Sequence, residues 1–319
     1  MCTRILWSSG GQPGLGTVAV ARTLDWMEDT HTVLSLRPRG VQRDSGVDQG
    51  SVTWTSTYAS VVSLLYSTLI ADGLNEAGFV VNGLYLTEAD YGPRDPSRPG
   101  FRLGLIVQYL LDCYATVEQA VAWFEAENPQ LVAEVIGTEA GTAHLSVADR
   151  SGDSAVIEFL DGQTTIHRGT DVTVMANSPA YDEQLAQSAR YLGLGGELAL
   201  PGGPQSPERY VRASVYRAGL PTTDSAREAV AMLLSAARTV AVPYGVSEPG
   251  KPNVAATRWI ALSDLTNGRY FFNSTLAPSV IWVNLAEARF TEGVAELQFD
   301  PSVDPDASGD ITDRFVAVG

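Results

Sequence analysis

The order of segment types constrains the fold of this chain most strongly. Strand-like runs come first, a pair of helices lies in the middle, strands and helices follow, and strands return at the end. Residues 2–9 read as a strand, Gly10-Gly11-Gln12-Pro13-Gly14 as a Gly-rich turn, and 18–26 as a second strand, so the chain opens on a hairpin. Residues 33–39, 53–65 and 79–86 continue the β character. Residues 101–113 carry apolar side chains at helical spacing. Thr116-Val117-Glu118-Gln119 has the form of a capping box for a helix to about 127, which Asn128-Pro129 stops. Residues 143–148 and 155–160 alternate in polarity around the turn 149–153, the pattern of a hairpin. A short strand at 172–176 follows, then a helix at 181–192 and another that Ser206 caps with Pro207 in its first turn. Residues 224–239 read as a helix and 257–299 as successive strands. No βαβ alternation, internal repeat or Pro/Ser-rich linker is visible. The expectation is one α+β layered domain over 1–319 with antiparallel sheets.

Charge excludes several partners. The formal net charge of −16 argues against nucleic acid and anionic lipid as partners, because phosphate contacts need clustered Lys and Arg. No apolar run approaches the ~18–20 residues of a membrane span. The first residues lack a basic segment followed by a long apolar core. As printed, the chain is expected to be cytoplasmic, or periplasmic or secreted if it begins at a mature end.

Histidine is scarce, with only His31, His144 and His167, and none has metal-ligand spacing to another His or Cys. Gly-x-Ser-x-Gly, a papain-like cysteine context and a phosphate-binding Gly-x-x-x-x-Gly-Lys loop are all missing. Neither a metal nor a cofactor is expected. Of the two cysteines, Cys113 lies in an apolar-periodic segment and reads as a buried inert thiol. Cys2 is different. Once Met1 is removed its own α-amine, with a reference pKa of ~7.7–8.0, stands beside a thiol of ~8.5 and can take its proton.

Ordered motifs extend this hint. Met1-Cys2-Thr3, Arg22-Thr23-Leu24-Asp25-Trp26, Asp72-Gly73-Leu74-Asn75-Glu76-Ala77-Gly78 with Val81-Asn82, Ala176-Asn177-Ser178-Pro179, Leu200-Pro201-Gly202-Gly203 with Ser206–Arg212, and Thr257-Arg258-Trp259 with Ser263-Asp264 occur in that sequence. In this the chain resembles the choloylglycine hydrolase family of N-terminal nucleophile hydrolases, which includes bile salt hydrolases and penicillin V acylases. The resemblance implies a four-layer αββα sandwich of two antiparallel sheets and a homotetramer.

It also implies roles. Cys2 is the nucleophile and its α-amine the base. Arg22 supplies positive charge beside the thiolate, Asp25 orients the amine, Asn82 and Asn177 stabilise the oxyanion, and Arg209 pairs with the acidic end of the network. Trp26 and Tyr85 are candidate walls for the acyl group of a small N-acyl amide substrate. Gly203 stands where the family has Asp and Tyr210 where it has Phe, so the loop before Arg209 is open to a different arrangement. The short stretch between Asn177 and Arg209 resembles the branch with penicillin V acylases and enzymes cleaving N-acyl homoserine lactones. The expected activity is that of a penicillin V acylase-like amidohydrolase. N-acyl homoserine lactones and conjugated bile salts are the alternative substrates, and a catalytically silent ligand-binding protein is the alternative of another class.

Overall fold

A computed structural model describes residues 2–136, 139–246, 254–290 and 296–318. Met1 lies outside the described residues, as does 291–295 of the expected strand region 257–299. The opening hairpin forms as the sequence indicates. Cys2–Ser8 pairs antiparallel with Val18–Asp25 from Cys2↔Leu24 to Ser8↔Val18. Gly11, Gly14 and Gly16 take φ values of +81°, +75° and +70° in the connecting turn, which only glycine adopts without strain.

That hairpin is the centre of the first sheet. Among the described residues its spatial order is Val174–Met175, Cys2–Ser8, Val18–Asp25, Thr257–Asp264, Arg269–Ser274, Ile281–Asn284 and Gly309–Asp310. The second sheet runs Gln163–Arg168, Ser154–Leu160, Ala143–Ala148, Val80–Tyr85, Leu69–Asn75, Ser60–Leu65, Val33–Arg37, Leu297–Phe299 and Val316–Ala317. Pairing is antiparallel throughout, except where Gly309–Asp310 joins the first sheet.

Side-chain alternation stacks the layers. Val61, Leu74, Val80 and Leu84 of the second sheet face the first and pack with its Ile260 and Tyr270. Their neighbours Val62, Leu64 and Val81 face the opposite way, against Ile106, Leu110 and Phe124. These last come from α1 (Leu103–Cys113) and α2 (Val117–Glu127), which cover the outside of the second sheet. The sequence then supplies α3 (Tyr181–Ser188), α4 (Ser206–Ala218) and α5 (Ala226–Arg238). Ala213, Leu233 and Ala237 of α4 and α5 pack on the outside of the first sheet, against Cys2–Ser8 and Val18–Asp25. The result is the αββα sandwich that the resemblance implied. Each fully buried Leu, Ile or Phe side chain in these layers contributes ~1.5–3 kcal/mol. No helix of the described residues is long and apolar enough to cross a membrane.

Several element boundaries differ from expectation, for local reasons. Residues 53–65 divide into Thr53–Thr55, paired with Gln42–Asp44, and Ser60–Leu65 in the second sheet. Between them the Thr57 and Tyr58 N–H groups donate to Asp112 O. Gly100–Arg102 is a strand beside Gln130–Val132, so α1 begins at Leu103. Of 172–176 only Val174–Met175 is strand, and α3 stops at Ser188. Thr116 does cap α2, accepting from Gln119 N at 3.2 Å, while Gln119 Oε1 reaches Ala115 N at 2.9 Å. Gln205, not Ser206, is the N-cap of α4. The Ser206 hydroxyl instead accepts from the Asn177 N–H at 2.9 Å. That displacement ties a helix start to the site described next.

Candidate active site

Cys2 begins an inner strand of the first sheet and is 3% exposed. The adjacent strand carries Arg22, whose Nη2 lies 3.3 Å from Cys2 Sγ and 2.8 Å from Gly83 O. A fixed cation donating to sulfur suits a thiolate. Three groups hold that guanidinium: the Gly83 carbonyl, the Trp259 ring with its centroid 4.8 Å from Cζ, and Asp72 3.9 Å from Nε. Burial pushes the Asp72 carboxyl above its ordinary range, against the opposing pull of Arg22, Tyr270 and Asn82.

The backbone of Cys2 is held from α4. Arg209 is fully buried, and its Nη1 donates to Cys2 O at 2.6 Å and to Thr3 Oγ1. Its Nη2 donates to Asn177 Oδ1 at 2.8 Å and its Nε to Pro204 O at 3.0 Å. Asp25 lies 3.6 Å from Nη1 and accepts from Thr257 Oγ1 at 2.6 Å. Burial lowers the Arg209 pKa from the usual guanidinium value, while Asp25 and Cys2 act to raise it.

Asn177 follows the short strand Val174–Met175 and closes the site. Its Oδ1 accepts from the Cys2 nitrogen as well as from Arg209. A guanidinium only donates, so this contact fixes which end of the amide is oxygen. The other end, Nδ2, donates to Tyr85 O at 2.6 Å and has a second hydrogen to offer.

The structure therefore gathers Cys2, Arg22, Asp25, Asn177 and Arg209 around one thiol. Asn82 is not among them. Its Nδ2 donates to Asp72 Oδ2 at 2.5 Å and its Oδ1 accepts from Ser146 Oγ at 3.2 Å, between the sheets. Its backbone is flanked by Asp72 on one side and Ser146 on the other, so its N–H belongs to the sheet and not to the site. Pairing with Leu69–Asn75 ends at Asn82, and that edge of Val80–Tyr85 then faces the site: the Gly83 and Tyr85 carbonyls are taken by Arg22 and Asn177. In a strand the N–H and C=O of one residue point to the same edge, so the Tyr85 N–H shares this one.

A cleft opens on Cys2. It encloses about 590 Å³, part of it open to solvent, and its walls include Leu24, Trp26, Leu65, Tyr85, Val107 and Leu145. Trp26 and Tyr85, the two expected wall residues, meet edge to face with centroids 6.1 Å apart. None of the residues lining the cleft carries a charge. Gly83 forms part of the floor, where a Cβ would find its nearest neighbours at 3.7–3.9 Å. Among the described residues no group of His, Cys, Asp or Glu side chains could hold a metal.

Sequence reasoning missed the supporting residues Thr3, Asp72, Gly83, Thr257 and Tyr270. Tyr270 bridges the sheets by donating to Asp72 Oδ1 at 2.7 Å. The second cysteine, Cys113, is half-buried and not fully enclosed, and burial pushes its thiol up to about 12. A raised pKa means little thiolate near neutral pH, so limiting iodoacetamide at pH ~8 is expected to label Cys2 well before Cys113. Peptide mapping checks this, and equal labelling would count against the assignment.

Comparison with known proteins agrees with this geometry. A family described as linear amide C–N hydrolases, choloylglycine hydrolase family, matches residues 2–297. The chain is 35% identical to a penicillin V acylase of Pectobacterium atrosepticum, covering 98% of this chain and 89% of that one. It is 22% identical to a bile salt hydrolase/transferase of Bifidobacterium longum subsp. longum, over 88% and 94%. A solved penicillin V acylase from Agrobacterium tumefaciens superposes with a TM-score of 0.90 at 37% identity, covering 100% and 98%. Fold and site define a hydrolase of linear amide C–N bonds. The chain belongs to the choloylglycine hydrolase family.

Proposed function

We propose that this protein is a cysteine amidohydrolase for N-acyl amides with an apolar or aromatic acyl group, penicillin V acylase-like in preference. The observation that carries the reading is an uncharged cleft opening on a thiol that Arg22 addresses. Removal of the residue before Cys2 turns its nitrogen into an amine. That amine takes the thiol proton as Sγ attacks the carbonyl carbon and the C–S bond forms. Negative charge collects on the carbonyl oxygen, where the Tyr85 N–H and the second Asn177 Nδ2 hydrogen are the donors. The proton then passes to the leaving nitrogen as the C–N bond breaks. Water, activated by the same amine, hydrolyses the thioester and restores the thiol.

Burying an unpaired carboxylate in this cleft is costly, so acidic acyl chains are disfavoured. Release of free amine from penicillin V, a long-chain N-acyl homoserine lactone and a glycine-conjugated bile salt tests the reading. Penicillin V is expected to turn over fastest. Preference for either of the others reassigns the substrate, and no turnover of any by a chain beginning at Cys2 favours a silent ligand binder. Gly83→Val extends side-chain volume into the floor of the cleft. It is expected to lower kcat/KM for phenoxyacetyl amides by ~10-fold or more relative to acetyl amides. An unchanged ratio would remove the acyl group from this cleft.

A further inference from the structure

His144 and Glu158 form a buried titratable pair that the chemistry above leaves unused. They lie on the neighbouring strands Ala143–Ala148 and Ser154–Leu160, only 2% and 1% exposed, with His144 Nδ1 3.1 Å from Glu158 Oε1. The other ring nitrogen, Nε2, is 2.9 Å from the carbonyl of Ala176. A carbonyl can only accept, so Nε2 carries a hydrogen, and the Nδ1 contact requires one shared proton. Both Glu158 oxygens lie 3.1 Å from the N–H of Tyr181, the first residue of α3. A carboxylate there also meets the positive end of that helix.

The pair thus grips the chain at Ala176 and at Tyr181, and the residue just inside the first grip is Asn177. Ser206 holds the Asn177 N–H as a third point. A buried, hydrogen-bonded polar pair adds little net stability but orders the groups that it bonds. We propose that His144 and Glu158 are positioning residues, which set the Asn177 amide where it can serve both the Cys2 nitrogen and the oxyanion. This role rests on the reading of Asn177 given above. Other titratable groups face the pair from the strand Gln163–Arg168 and from α3. His167 Nε2 is 3.8 Å from Glu158 Oε2, and His167 Nδ1 is 3.6 Å from Asp182.

The test compares steady-state hydrolysis of penicillin V with the rate of Cys2 alkylation by iodoacetamide. His144→Leu removes both contacts of the ring. It is expected to lower kcat by ~10- to 100-fold, as displacement of an oxyanion donor does, with KM within about threefold of wild type. Alkylation is expected to slow by a smaller factor than turnover, because it needs no oxyanion donor and Arg22 still addresses the thiol. Glu158→Gln keeps an acceptor for Tyr181 and a donor for Nδ1. It should lose at least ~5-fold less kcat than Glu158→Leu. A His144→Leu kcat within threefold of wild type would overturn the proposal, as would alkylation slowed in step with turnover. Where His144→Leu does not fold, equal losses in the two Glu158 variants overturn it. Wild-type protein without turnover overturns the functional reading and this role together. Active wild type with an active His144→Leu overturns this role alone.

Discussion

Cys2→Ala is expected to lower kcat for amide hydrolysis by at least ~10⁴-fold while leaving the fold intact. The expectation follows from how little the thiol contributes to packing and how much it contributes to chemistry. Sγ faces the cleft, so its loss enlarges an existing space and opens no new cavity in the core. Arg22 keeps its bond to Gly83 O and its place over Trp259. The register from Cys2↔Leu24 onward depends on backbone groups that alanine also has. What disappears is the atom that forms the acyl-enzyme in the proposed mechanism. Steady-state kinetics with circular dichroism check both halves. Residual turnover near the wild-type level would mean that another group performs the attack.

Asn177→Ala is expected to lower kcat by ~10²–10³-fold with a smaller change in KM, because the lost hydrogen bonds strengthen in the transition state. One side chain here does two jobs. Oδ1 accepts from the Cys2 nitrogen and Arg209, while Nδ2 faces Tyr85 and the position assigned to the oxyanion. Asn177→Asp separates them. It retains both acceptors, so Arg209 keeps a partner, but it removes the donor and sets a carboxylate against the Tyr85 carbonyl. The Asp variant should therefore lose as much kcat as the Ala variant. It should also melt higher, since Ala leaves a buried guanidinium nitrogen without that partner at a cost of ~1–3 kcal/mol. An Asp variant with near-wild-type kcat would assign Asn177 to structure only.

The legible parts of this protein were those with local signatures. Gly-rich turn chemistry after Ser8 gave the central hairpin, and alternation around Asp149–Asp153 gave another. The roles of Arg22 and Asp25 came from the family resemblance, and the hairpin puts the strand carrying them directly beside Cys2–Ser8. Layer order was not legible without the family resemblance. Val18-Ala19-Val20-Ala21 is buried on both faces, so its polarity does not alternate. Asn82 shows the limit most clearly. The family resemblance implies an oxyanion role for this asparagine, while its place near a strand end reads equally as a turn residue. Whether its N–H is free depends on where the neighbouring strand stops pairing, a long-range register that the local sequence does not encode. The same register passes the site-facing edge to Gly83 and Tyr85. Ser206 is a similar case. Its capping pattern was readable, but its hydroxyl is drawn to Asn177, 29 positions away.

In the proposed mechanism Cys2, freed as the first residue, carries the acyl group during turnover. Acid quenching of the protein during hydrolysis of penicillin V, followed by intact and peptide mass spectrometry, tests it directly. The expected result is a chain that begins at Cys2 and a phenoxyacetyl adduct confined to the Cys2 peptide, cleaved by hydroxylamine as a thioester is. Turnover by a chain that retains Met1, or an adduct on any other residue, would contradict it.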